Sequence, residues 1–125
     1  GNRDGSITWD TAMNYFLKAF SLRPQRIEPL VKIAAHYWPS NIQTCYLFIK
    51  HAYDIPYPKD DLLFIEKNMY DYERYEIMSR CAWYLGEYVL GEQATLRALE
   101  VCREPHLERN LALYREKLSA QLVSG

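Results

Sequence analysis

Ala82-Trp83-Tyr84-Leu85-Gly86-Glu87-Tyr88-Val89-Leu90-Gly91-Glu92-Gln93-Ala94-Thr95-Leu96-Arg97-Ala98 is the stretch whose reading decides the fold. Gly86 lets the chain reverse between two helices, because it alone meets no Cβ penalty in a left-handed turn. Tyr88 fills the gap that such a turn leaves. The small residues Ala94 and Ala98 recur along one face of the second helix and let the two helices approach closely. A helix, a tight reversal and a closely packed second helix form one hairpin of an all-α protein.

Outward from that hairpin, prolines punctuate the chain. The apolar positions Trp9, Ala12, Met13, Phe16, Leu17 and Phe20 follow helical spacing over 7–22, with Ser6 or Thr8 as cap and Pro24 as stop. Pro29 fits the first turn of a second helix, whose inner face is Leu30, Ile33, Ala34 and Tyr37. Pro39 ends it, and Ser40 is placed to cap a third helix with Cys45, Leu47, Phe48, Ile49 and Ala52 as inward candidates. The short connection predicts that the second and third helices pack antiparallel. A fourth helix is expected over 70–85, a fifth from Tyr88 to Cys102 or Arg103, and an amphipathic sixth from Pro105 to Leu122. Between the third and fourth lies a segment that belongs to neither. Ile55-Pro56-Tyr57-Pro58 excludes a helix, Asp60 or Asp61 is placed to cap a short turn, and Leu62–Ile65 is an apolar run.

The 125 residues suit one domain, expected over 7–125 with an irregular insertion at about 56–71. Residues 1–6 read as a flexible lead-in, and the piece reads as cut from a larger chain. Hydrophobic residues make up 49% and charged residues 25%, with a formal net charge of −1. That balance argues against a nucleic-acid binder, which needs a basic excess. No apolar run reaches the roughly 18–20 residues of a membrane span. Three widely spaced cysteines, Cys45, Cys81 and Cys102, predict reduced buried thiols and a cytoplasmic setting.

The turn at Gly86 with Tyr88, Ala94 and Ala98 resembles that of a tetratricopeptide repeat. Similar helix ends recur at Ala19-Phe20-Ser21-Leu22-Arg23-Pro24 and Ala52-Tyr53-Asp54-Ile55-Pro56, which lie 33 residues apart. Thr95 departs from the pattern where an aromatic is common, and the turn at Pro39-Ser40-Asn41 lacks the glycine. The resemblance implies an all-α solenoid of antiparallel helix pairs, with degenerate repeats at about 26–55 and 72–103, a capping helix and one irregular insertion. A narrower set of residues, 19–30, Tyr46-Leu47-Phe48, 55–66 and Tyr70-Asp71-Tyr72, resembles the helical-repeat segment that accompanies family 2-type glycosyltransferases in some bacteria and large DNA viruses. That family links the segment to a nucleotide-sugar-dependent catalytic domain. This chain shows no alternating strands, and Asp60-Asp61 is not the metal-binding motif of such a domain, so association with a glycosyltransferase is implied and catalysis is not.

In tetratricopeptide units the first helix of each pair lines a concave groove. Carried over, the groove-facing positions are Glu28, Val31, Ala35 and Trp38 in one unit and Glu73, Glu76, Arg80, Trp83 and Tyr84 in the other. Trp and Tyr there suit stacking on a sugar face or clamping a peptide; the plainer reading makes them packing residues. Arg23, Arg26 and Glu28 cluster around two prolines. They suit an anion site, or a structural network in which Arg23 or Arg26 pairs with Glu28, or with Asp60 or Asp61, and pins the insertion, whose charges also include Lys59. Asp60, Asp61 and Glu66 are too few for a hard-cation site, and His36, His51 and His106 make no zinc spacing with the cysteines. A Cys45–His51 nucleophilic pair lacks an orienting third residue. Tyr72 and Tyr75 are expected to pack inward. The expected function is a non-catalytic interaction or scaffold module with no cofactor, whose partner is a protein or a glycosyltransferase domain. A glycan- or peptide-binding groove and a self-assembling homo-oligomer are the alternatives.

Overall fold

The computed structural model describes residues 8–59 and 65–124. The described residues form six α-helices, α1 (Trp9–Leu22), α2 (Glu28–Tyr37), α3 (Ile42–Tyr53), α4 (Arg74–Cys81), α5 (Tyr88–Val101) and α6 (Pro105–Ser124), and no strand. A π-helical turn, Met69–Glu73, leads into α4, and a 3₁₀ turn, Ala82–Leu85, leads out of it. Consecutive helices pack on one another, and α3 packs on α4, which places α4 centrally with α6 also against it. The core runs through α2, α3, α4 and α5 and takes Tyr70 from the π turn with Leu107 and Tyr114 from α6.

The punctuation acts as its chemistry dictates. Thr8 caps α1 by accepting the Thr11 N–H at 3.3 Å. Pro29 lies in the first turn of α2. Gly86 adopts φ 73°, the left-handed conformation that closes the reversal between the 3₁₀ turn and α5. Asn41, not Ser40, caps α3: its Oδ1 accepts the Thr44 N–H at 3.1 Å. The Ser40 hydroxyl instead donates back to the Tyr37 carbonyl. Two further expectations fail. Leu47 is 65% exposed rather than inward, because Cys45, Ile49 and Ala52 already fill the stripe of α3 that faces the core. Cys102 is half-buried, beyond the end of α5.

α1 is the outermost helix and buries no residue completely. It holds on through rings. Trp9 stacks on His36 with 3.4 Å between centroids and donates its indole N–H to the Tyr37 hydroxyl, while Phe20 meets His51 edge-on.

The irregular segment is tied down by Arg74. The wide π turn sends the Arg74 backbone N–H to the Met69 carbonyl, leaving the Tyr70 carbonyl to accept the Arg74 Nε at 2.8 Å. The guanidinium Nη1 then donates to the carbonyls of Ala52, Tyr53 and Ile55, the last at 2.7 Å. Those groups are the end of α3 and the start of the irregular segment, so a cation caps the negative end of a helix dipole. The side chain is almost wholly buried and lies against the rings of Tyr70 and Tyr75. Tyr75 also takes Arg97, both over its ring and at its hydroxyl.

α5 and α6 meet where α5 has no side chain. A Cβ at Gly91 would lie 2.2 Å from the ring of Tyr114. Tyr114 is buried and donates its hydroxyl to the Ser79 carbonyl at 2.6 Å, so it has little room to retreat. Alanine is the better helix former by about 1 kcal/mol. Gly91→Ala is nonetheless expected to lower the free energy of unfolding by about 1–3 kcal/mol, the usual cost of overpacking, read from urea midpoints at constant slope. Arg74→Met removes the donors from the end of α3 and is expected to cost about 2–4 kcal/mol in the same experiment.

Candidate functional site

Two adjacent hollows make up a cleft beside α4, and Trp38 and Arg80 line both. The larger part, about 390 Å³, is lined by Trp38, Ser79, Arg80, Trp83, Tyr84, His106, Asn110, Leu113 and Tyr114. The smaller, about 220 Å³, is lined by Ala35, Trp38, Glu73, Glu76, Ile77 and Arg80. Helix spacing explains the floor: Glu73, Glu76, Ile77 and Arg80 recur at three- and four-residue steps on one face of α4 and the turn before it. Trp38 enters from just past the end of α2, and His106 and Asn110 enter from α6 at an i,i+4 spacing.

The rings are partly committed to packing. Trp38 lies 5.9 Å from Tyr84, centroid to centroid, tilted by 50°. Trp83 packs against Tyr88 and Tyr114 and lies under the Lys117 ammonium. Both tryptophans are half-buried against the core and also form wall, so the packing and groove readings hold together. Tyr84 is 61% exposed and offers the most open ring.

The charges are ordered. Glu76 stands between two side chains: Arg80 pairs with it through Nε, and His106 Nε2 lies 3.3 Å from the same oxygen. Glu73 accepts from Asn68 at 3.3 Å. The Asn110 amide reaches the Ser79 hydroxyl at 3.1 Å, and behind it Ser79 meets Thr95 at 2.6 Å.

Six of the sequence candidates, Trp38, Glu73, Glu76, Arg80, Trp83 and Tyr84, therefore come together around one cleft, with Ala35 beside them. Glu28 and Val31 do not: both are buried. The stripe carrying them turns into the core where α2 meets the π turn. Periodicity missed Asn110 and His106, whose helix reads as a simple cap; their i,i+4 spacing was the available signal.

Glu28 belongs to a separate network. It receives Arg26 Nη2 at 2.6 Å and Nε at 3.1 Å, the Tyr70 hydroxyl at 3.0 Å and the Glu66 N–H at 3.1 Å. The Tyr70 hydroxyl in turn accepts the Ile27 N–H at the start of α2. Arg26 and Glu28 thus form the expected pair, and Glu66 shows the insertion docked on it. Arg23 lines the neighbouring hollow with Arg26 and Glu66. Lys59 is exposed. Asp60, Asp61 and Leu62–Phe64 lie outside the described residues, so the network expected through the two aspartates does too.

The remaining candidates dissolve. Cys45 meets Cys81 in the core, while His51 is exposed and packs on Phe20, so no Cys45–His51 pair exists. Hydrogen bonding to Cys45, together with burial, pushes the Cys81 thiol up, which keeps it neutral. Tyr75 is buried and Tyr72 half-buried against the core. No helix among the described residues is long and apolar enough to cross a membrane. Comparison with known proteins finds no matching family model, curated protein or solved structure.

Burial pushes the Glu28 carboxyl up, but the hydrogen bonds from Arg26, from its own and the Glu66 backbone N–H, and from Tyr70 outweigh it and hold the group below the ordinary carboxylate value. A depressed folded-state pKa means the unfolded chain takes up the proton first. The stabilisation is therefore complete above the ordinary carboxylate range and is lost as pH falls through it toward the folded value. Urea unfolding followed from neutral pH to about pH 3 is expected to show a stability loss in wild type that is shallower in Glu28→Gln. Glu28→Gln is also expected to be less stable than wild type at neutral pH, with the two converging in acid.

Proposed function

We propose that this chain is a non-catalytic interaction module, a tetratricopeptide-like array of helix pairs whose α4 cleft receives an extended segment of a partner protein. The observation that carries this reading is the adjacency of two hollows: an aromatic compartment and a carboxylate-bearing one share the Trp38 and Arg80 walls. Apolar walls with a few fixed polar groups suit a binding site. Alternating compartments suit an extended chain, whose successive side chains point in different directions. Glu76 is paired with Arg80 and lies 3.3 Å from His106, so its carboxylate is held in place, which favours orientation of a ligand over reaction with it. On the resemblance at 19–30, 46–48, 55–66 and 70–72, the partner is a glycosyltransferase or a protein that works with one, and the module acts as its helical companion.

The open Tyr84 ring favours a second reading, a saccharide stacked at the mouth of the cleft. Linear peptides selected from a random library, measured by fluorescence anisotropy, separate the two. Tyr84→Ala and Trp38→Ala are expected to weaken the selected peptides by about tenfold or more, as loss of aromatic anchors does. Tyr84→Ala is expected to leave the melting temperature unchanged. Failure to select any peptide sensitive to these substitutions, with ring-dependent binding on a glycan array, replaces the peptide reading with the saccharide one.

A further inference from the structure

The hydroxyls behind the cleft fix the direction of a hydrogen-bond chain. The Thr95 side chain is wholly buried, and its Oγ1 lies 2.7 Å from the Gly91 carbonyl. A carbonyl only accepts, so Thr95 donates its single hydrogen there. The 2.6 Å contact between Thr95 and Ser79 is then one in which Ser79 donates. With its hydrogen committed, Ser79 Oγ can only accept at its other contact, 3.1 Å from Asn110. Asn110 must therefore turn its Nδ2 inward. Its Oδ1 and the second Nδ2 hydrogen have no protein partner among the described residues, and Asn110 lines the larger hollow.

We propose that Asn110 reads the backbone of the bound segment, its Oδ1 accepting the N–H of one peptide group while its Nδ2 donates to a neighbouring carbonyl. This rests on the peptide reading of the cleft. A planar amide held with donor and acceptor in fixed places complements a peptide group. It opposes a carboxylate, whose oxygens would face Oδ1. Of the neighbouring polar groups, Arg80 Nε and His106 Nε2 are engaged by Glu76. Trp38, Trp83 and Leu113 surround the amide with apolar wall, which strengthens the bonds it makes. Register along the cleft is then set by a main-chain contact, and the compartments beside it select side chains.

The probe is a peptide selected from a random linear library, resynthesised with each backbone N–H replaced in turn by N-methyl. In wild type, one N-methyl position near the centre is expected to lose about five- to tenfold in affinity, one hydrogen bond's worth. In Asn110→Leu, which leaves Ser79 still donating to Thr95, the same N-methyl change is expected to cost nothing further, the signature of coupling in a double-mutant cycle. The side-chain amide resonances of Asn110 in the unsubstituted protein, followed by nuclear magnetic resonance, are expected to shift on peptide addition and not with the N-methyl variant. Peptides that depend on Trp38 and Tyr84, but show no N-methyl position coupled to Asn110 and no shift of its amide, overturn the role of Asn110 and leave the peptide cleft standing. If no selected peptide depends on those rings, both fall.

Discussion

A buried guanidinium is the constraint on which the rest of this structure depends. An arginine cannot shed its proton, so Arg74 carries its charge into the core and must be solvated there by something other than water. Among the described residues, no carboxylate does it. The backbone carbonyls of Ala52, Tyr53, Ile55 and Tyr70 do, with the faces of Tyr70 and Tyr75 alongside. The last turn of any helix leaves carbonyls without partners, and α3 ends where an irregular segment of prolines begins. One side chain thus satisfies a helix terminus, the entry to that segment and the π turn. Three pieces that share no regular ladder are referred to a single point.

The exit of the irregular segment is held by the opposite charge. Glu28, at the first position of α2, gathers Arg26, the Tyr70 hydroxyl and the Glu66 N–H. Tyr70 stands between the two centres, its carbonyl on Arg74 and its hydroxyl on Glu28. The π turn is what permits this. An ordinary helical turn would assign the Tyr70 carbonyl to the Arg74 backbone N–H; the wide turn sends that N–H to Met69 and leaves the Tyr70 carbonyl to the guanidinium Nε. The wide turn and the buried charge thus go together.

How much of this was legible follows from where each decision is made. Helix limits are local decisions, taken by Pro24, Pro29, Pro39, Gly86 and Pro105 acting on their own backbone, and they could be read. So could the face of α4 that carries Glu73, Glu76 and Arg80, because a helical stripe is a property of spacing alone. Arg74 could not. In Tyr72-Glu73-Arg74-Tyr75 it reads as one more solvated charge. Its burial is decided by carbonyls some twenty residues earlier that only the fold presents to it. Glu28 was misread for the same reason. Its stripe does face inward across α2, but what waits there is Tyr70 and the returning segment, not an open groove. Ser40 against Asn41 is a smaller failure of the same kind: both residue types cap helices, and the choice is settled by which one the turn after Pro39 leaves free.

The cleft owes its polarity to packing on its far side. Because Gly91 has no side chain, the Tyr114 ring reaches α5 and its hydroxyl reaches the Ser79 carbonyl, drawing α6 down onto α4. That approach brings Asn110 within reach of the Ser79 hydroxyl, whose hydrogen is already committed to Thr95 and through it to the carbonyl of the same Gly91. A missing methyl group and a buried threonine thus set the orientation of an amide on the opposite surface. Thr95 occupies a position where an aromatic would serve packing alone. An aromatic there would leave Ser79 free to donate to Asn110, and the amide could then point either way. The hydroxyl removes that freedom before any ligand arrives, so the ordering need not be supplied at binding.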